Sequence, residues 1–371
     1  MAKKLGFGLM RLPLTDPNDG GSIDIEQTKK MVDYFIEKGF TYFDTALMYC
    51  DSKSEAATKE FLTSRYPRDA YTIATKLHSM YLKKEGDPER IFKEQLERIG
   101  VEYFDYYLVH DVNSHSLDTY HKFNVFDFFI KMREEGYIKK LGFSFHDTAD
   151  VLDRALTLHP EVDFVQIQLN YLDYENPAIQ SKLCYETAVK HGKKVVVMEP
   201  VKGGTLANVD EKVETLFKNE DPNASIPSWA IRFAASHENV MMVLSGMSNF
   251  EQLKDNTSYM ENFVPFTEKE YNLVKVAADI INNNITIPCT ACSYCTEGCP
   301  MNIPIPKYFA LYNTAKQDKN QDWNVQFNYY HTLGNDFGKA KDCIGCGQCE
   351  SVCPQHLKII DYLKDVDSYF G

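Results

Sequence analysis

A chain of 371 residues suits two domains, or one large domain and a small one, at roughly 100–200 residues per domain. Its formal net charge of -13 argues against nucleic acid or an anionic membrane surface as the main partner, because both call for basic patches. No apolar run approaches the roughly 20 residues of a membrane helix, and no apolar region or cleavage site for secretion opens the chain; the expected location is the cytoplasm.

The first part repeats an apolar strand followed by an amphipathic helix. Strands are predicted at 7–10, 41–44, 71–75, 104–109, 139–144, 164–168, 194–198 and 241–244. The intervening helices carry legible ends. Asp24 with Gln27 three residues on, and Gly39 after the apolar face, bracket the first. Asp87-Pro88 and Gly100 bracket a second, and Asp147 is expected to cap a third. Asn176-Pro177 and Gly192 bracket a fourth. Eight strand–helix units point to an α/β fold, a (β/α)8 TIM barrel, with an open doubly wound sheet as the rival. Gly6-Phe7-Gly8 resembles the start of a dinucleotide fingerprint, but Arg11 stands where the third glycine belongs. Thr267 and Glu270 form a capping box for one more helix, which Asn282-Asn283-Asn284 breaks.

Eight of the ten cysteines lie between Cys289 and Cys353. A reducing cytoplasm disfavours disulfides, so the cluster reads as metal ligation. The expected organisation is a barrel at 1–265, a connecting helix at 266–284 and a small, mainly α-helical cysteine domain at 285–371.

In such barrels the active site lies at the carboxyl ends of the strands. Asp44, Lys76 and His110 follow the last apolar residues of the second, third and fourth predicted strands, and Tyr49 lies in the loop after Asp44. Carbonyl reduction needs a hydride to carbon and a proton to oxygen. Tyrosine is a poor acid, with an ordinary pKa of about 10, and Lys76 beside Tyr49 is expected to lower it. Asp44 would pair with Lys76, and His110 would donate to the carbonyl oxygen.

Over roughly residues 1–262 the sequence resembles the aldo/keto reductases. The resemblance rests on Tyr42-Phe43-Asp44-Thr45-Ala46 with Tyr49, Ala74-Thr75-Lys76, Leu108-Val109-His110, Gly142-Phe143-Ser144, Gln166 through Asn170, and Leu244-Ser245-Gly246-Met247-Ser248-Asn249 followed by Gln252 and Asn256. It implies NAD(P)H lying across the strand ends, a small-molecule carbonyl or alcohol substrate, and Tyr49 as proton donor. It also implies cofactor contacts at Met10, Ser144, Gln166, Asn170, Met198, Gly246, Ser248, Gln252 and Asn256. Three positions depart from the family. Phe145 and His146 follow Ser144 where many members have Asn. Met198 replaces a stacking tyrosine. Gly246 takes the place of a basic residue near the adenosine 2'-phosphate, so NAD versus NADP stays open.

Cys289, Cys292, Cys295 and Cys299-Pro300 have the spacing C-x2-C-x2-C-x3-C-P, which Cys343, Cys346, Cys349 and Cys353-Pro354 repeat. In two-cluster ferredoxins the fourth cysteine reaches the other [4Fe–4S] cluster. The expected sets are Cys289, Cys292, Cys295 and Cys353, and Cys343, Cys346, Cys349 and Cys299; two zinc sites are the rival. The segment resembles the helical two-cluster ferredoxin domains attached to larger oxidoreductases. The expected protein is thus an oxidoreductase with NAD(P)H chemistry at the barrel and two [4Fe–4S] clusters. Hydride carries two electrons and a cluster moves one, so a flavin or a redox protein partner would bridge them, though no flavin motif is present. The alternatives are an electron-transfer or redox-sensing subunit whose barrel is a binding module, and clusters that only staple the C-terminal segment.

Overall fold

A computed structural model describes residues 3–282, 286–289, 291–317, 324–353 and 355–371. The predicted break at Asn283-Asn284, the boundary at 284/285 and Pro354 lie outside them. Eight parallel strands close on themselves in chain order: β1 (Leu5–Gly8), β2 (Tyr42–Asp44), β3 (Thr72–His78), β4 (Phe104–Val112), β5 (Ile138–Phe145), β6 (Phe164–Gln168), β7 (Lys194–Met198) and β8 (Val240–Gly246). Gly8 of β1 registers with Asp44 on one side and with Gly246 on the other, which settles closure against the open sheet.

Closure is possible because bulk and space alternate inside the barrel. Tyr42, Leu108, Phe164, Met242 and Leu244 from the even strands fill the interior with Ala74 and Val196. The ring of Tyr106 bridges Tyr42 at 5.1 Å and Phe164 at 5.3 Å. The odd strands β1 and β5 answer with glycine. A Cβ on Gly6 would lie 2.8 Å from Leu244, and one on Gly142 would lie 2.6 Å from the Phe164 carbonyl oxygen. This is the layered filling of a packed barrel. Outside it, Phe7, Phe35, Phe43, Phe61, Phe92 and Tyr107 belong to the larger core between sheet and helices.

Three predicted helix starts move. The left-handed Gly86, not Asp87, precedes the helix Asp87–Ile99; the Asp87 carboxylate instead accepts from the Lys83 and Lys84 amides. Asp147 does not cap the helix Ala149–Leu158, since its carboxylate accepts from Ser114 N and Thr148 N while Thr148 takes the cap position. Asn176 folds a turn over the Ala178 and Ile179 amides, and the helix begins later, at Ser181–Lys190. In each case a short acidic or amide side chain found nearer backbone donors.

Helix Glu268–Asn282 belongs to the barrel's packing. It buries Val274, Ala277 and Ala278 in the outer core, and Glu270 pairs with Arg232 at 2.6 Å. Thr267 and Glu270 form the expected reciprocal cap. Beyond it, helices Ile305–Gln317, Gln326–Asp336 and Ile359–Phe370 enclose a second core of Tyr308, Phe309, Tyr330, Leu363 and Phe370. Ala178 and Ile179, from the loop after β6, insert into that core. Asn176 donates to Thr314 Oγ1 at 3.1 Å, and His115 meets Asp336 at 3.5 Å.

Gly142→Ala is expected to destabilise the barrel by roughly 1–3 kcal/mol, because the added methyl meets the backbone of the neighbouring strand and nothing flexible can yield. Chemical denaturation of the two proteins checks this.

Candidate active site

Asp44 is the last residue of β2, and Lys76 and His110 lie inside β3 and β4. Both strands run further than their apolar runs suggest, because the mouth residues continue the ladder: His78 registers with His110. The Lys76 ammonium is buried and uses all three of its protons. It donates to Asp44 Oδ1, to Thr45 O at 2.9 Å and to Tyr49 Oη at 3.1 Å. The Tyr49 ring meets the His110 ring edge-on with centroids 6.0 Å apart. The four predicted residues therefore converge.

Behind Lys76 stands a polar cluster that the sequence reading missed. Glu55 is fully buried. Its Oε1 accepts from Thr75 Oγ1 and Gln95 Nε2, each at 2.6 Å, and its Oε2 accepts from Arg98 at 2.6 Å. Gln95 also donates to the Lys76 carbonyl at 3.0 Å, which fixes the strand carrying the lysine. In the sequence an acid at this position reads as part of a solvated helix face. The segment after Tyr49 is strained: Cys50, Asp51 and Ser52 all adopt positive φ, between 50° and 63°. Such strain persists only where surrounding structure over-determines it. Here the Cys50 thiol points back to the Leu9 and Met10 carbonyls at 3.5 Å.

The electrostatics correct one expectation. Lys76 does pull the Tyr49 pKa down, but burial pushes it up more, and the net shift is upward. In this site Tyr49 is a phenol that holds its proton. Burial works against the Lys76 charge, yet Asp44 and the Tyr49 oxygen overcome it and raise the lysine pKa. His110 is driven well below the usual histidine range by burial and by the Lys76 charge, so its imidazole is neutral.

The cysteines gather in two places. One cavity is lined by Cys289, Cys292, Cys295 and Cys353, and another by Cys299, Cys343, Cys346 and Cys349. The third cysteine of each motif, Cys295 and Cys349, is buried, and burial pushes these thiols up to about 12 and about 11. Buried thiols of this kind ionise when a metal centre compensates their charge, so the donor set fits thiolate-ligated iron. A larger cavity of about 540 Å³ lies between the barrel and the second unit with Cys289 at its edge, away from the tetrad.

The aldo/keto reductase family model matches residues 4–279, which is the barrel with its added helix. The chain belongs to the aldo/keto reductase family. A 4Fe-4S dicluster domain model matches residues 288–357. The chain is 30% identical over 243 residues to a probable aldo-keto reductase 1 from Glycine max, covering 59% of this chain and 66%, just under two thirds, of that one. It is 24% identical over 278 residues to a D-threo-aldose 1-dehydrogenase from Pseudomonas sp, covering 62% of this chain and 82% of that one. An aldo-keto reductase from Bacillus halodurans in its holo form superposes with TM-score 0.59 at 23% identity, over 74% of this chain and 91% of its own. One from Klebsiella pneumoniae in complex with NADPH does so with TM-score 0.59 at 18% identity, over 75% and 92%. These likenesses show the fold.

This reductase barrel is therefore an oxidoreductase with an iron–sulfur domain attached. The nine residues implied as cofactor contacts follow the mouth from β5 round to β1. Ser144 is buried, and its Oγ accepts from the Asp111 amide at 2.8 Å. Gln166 is buried at β6 with Oε1 lacking a partner, an acceptor suited to a primary amide N–H. Asn170 uses both ends of its amide within the loop, donating to Asp173 at 2.9 Å and to Glu199 O at 3.1 Å and accepting from the Leu172 and Asp173 amides. Met198 ends β7 half-buried, and Met10 is exposed. Ser248 donates to Arg11 O at 2.9 Å and its amide donates to Gln252 Oε1 at 2.8 Å. Asn256 donates to Ser245 Oγ at 3.0 Å. Gly246 lies under Arg11, whose Cβ would be 3.1 Å from a Cβ at 246. The Arg11 guanidinium itself lies 3.9 Å from the Glu199 carboxylate.

Lys76→Met is expected to cost about 3–5 kcal/mol of stability, because it leaves the Asp44 carboxylate buried without its counter-charge. Urea melts of variant and parent check this.

Proposed function

We propose that the chain interconverts a carbonyl and an alcohol with NAD(P)H at the barrel mouth, while the attached domain carries two [4Fe–4S] clusters. The observation that carries this reading is the buried Lys76 ammonium bonded to both Asp44 and Tyr49. When bound, the nicotinamide supplies the hydride to carbon. Tyr49, held as a phenol, gives its proton to the carbonyl oxygen. Lys76 stabilises the phenolate left behind, and Asp44 keeps Lys76 charged and aimed. Neutral His110 donates an N–H to the same oxygen. The unpartnered Gln166 Oε1 would take the N–H of the nicotinamide carboxamide.

In the attached domain Cys289, Cys292, Cys295 and Cys353 would hold one cluster, and Cys343, Cys346, Cys349 and Cys299 the other. Such clusters move electrons singly, so coupling to a hydride site calls for a flavin or a redox protein partner. A second reading makes the chain an electron-transfer or redox-sensing subunit with the barrel as its binding module. It is favoured by Phe145, His146 and Met198, which replace the family's nicotinamide contacts.

Tyr49→Phe is expected to lower carbonyl reduction by roughly 10²–10⁴-fold, with NAD(P)H binding retained. Turnover equal to that of the parent would remove Tyr49 from the chemistry. Anaerobically purified protein is expected to hold about eight irons, four per cluster. NADPH and NADH are then titrated while the cluster absorbance is followed. Bleaching would tie the clusters to the barrel, and colourless zinc-loaded protein would sink the iron assignment.

A further inference from the structure

Beside the tetrad lies a second group of polar side chains, His78 and Asp111 partly buried and His146 buried, that the reduction step does not use. Asp111 has a φ of +54°, an uncommon conformation that Asp tolerates better than most residues. It sits where the register between β4 and β5 slips, between Val109 and Val112. Bulges of this kind re-aim side chains at barrel rims. Its backbone is pinned from three directions: the amide donates to Ser144 Oγ at 2.8 Å, and the carbonyl accepts from Ser116 Oγ at 2.7 Å and Asn113 Nδ2 at 3.3 Å. So held, the carboxylate places Oδ2 3.5 Å from His78 Nε2 and leaves Oδ1 buried without a partner.

The group touches the tetrad. The His78 ring meets the His110 ring edge-on at 5.3 Å, and His110 meets Tyr49. His146, at 9% exposure, faces the same space, and its Nδ1 is likewise buried and unpartnered. Against the His146 ring, at 5.8 Å and edge-on, stands Tyr329 from helix Gln326–Asp336 of the dicluster domain, itself 5% exposed. The attached domain therefore closes this side of the barrel mouth.

We propose that His78, Asp111 and His146, walled by Tyr329 of the dicluster domain, form a hydroxyl-recognising subsite that selects sugar- or polyol-like carbonyl compounds over apolar and anionic ones. The inference rests on the carbonyl-reducing reading of the tetrad. Burial pushes the Asp111 pKa up, but the His78 hydrogen bond works against it and the net shift is downward, to about 2, so the group is a carboxylate. A buried carboxylate oxygen with no donor is costly, and a substrate O–H is the group that satisfies it. An alkyl chain would leave it unpaired, and a substrate carboxylate would be repelled. Burial lowers the His146 pKa, so its ring is neutral and adds a hydrogen-bonding atom without adding a cation for an acid. Sites built around such polar groups reject analogues lacking the hydroxyl more strongly than apolar pockets reject an added one.

The test reads binding rather than turnover. Oxidised, cluster-loaded protein is titrated by ligand-observed NMR with erythritol, butan-1-ol and 4-hydroxybutanoate. Erythritol is expected to bind at least about tenfold more tightly than either of the others. Asp111→Asn, which keeps a residue that tolerates positive φ, should shrink that advantage and strengthen 4-hydroxybutanoate. Tyr329→Leu, with cluster absorbance intact, should also shrink it, because His146 loses its wall. Equal binding of butan-1-ol or 4-hydroxybutanoate to the parent overturns the proposal, and so does an erythritol preference that survives in both variants. A Tyr49→Phe protein that still reduces carbonyls would defeat the tetrad reading alone, since the binding preference is measured without it.

Discussion

Taking a lysine and an aspartate out of water costs several kcal/mol per ion, and their attraction offsets this only when the remaining hydrogen-bonding capacity is also met. Lys76 meets that condition. Its three protons go to Asp44, the Thr45 carbonyl and Tyr49. The ion pair thus ties β2 to β3 and delivers the Tyr49 oxygen to the mouth in one arrangement. Glu55, Thr75 and Gln95 extend the constraint backwards into the wall, so the buried lysine rests on a satisfied polar layer.

The consequence for reactivity lies in the balance between burial and charge. Burial keeps the proton on Tyr49 and off His110, while Asp44 keeps Lys76 ionised. A protonated phenol, a neutral imidazole and a fixed cation are the states that carbonyl reduction requires. The dicluster domain participates in this setting. Ala178 and Ile179 anchor it to the loop after β6, and Tyr329 leans on His146, so the attached unit forms part of the mouth.

Much of the architecture was legible because its signals are local. Strands 164–168 and 194–198 stand where their apolar runs place them. Helix starts were less legible, because Asp87, Asp147 and Asn176 each had several backbone donors within reach and sequence cannot rank them. The tetrad was readable from residue type at strand ends. Glu55, Arg11 and Asp111 were not. Glu55 resembles a surface acid until Arg98 and Gln95 close over it, and Arg11 reaches the β8 end only because β1 and β8 are neighbours.

The sequence by itself determined the strand–helix repeat, the residue types of the tetrad and the two thiol motifs, since each depends on spacing along the chain. Tertiary structure decided what depends on closure: that β1 meets β8 and that Tyr329 faces His146. It also decided the direction of the Tyr49 shift. Counting nearby charges predicted a lowered pKa. Desolvation is a property of the packed volume around the hydroxyl, and it reversed the sign.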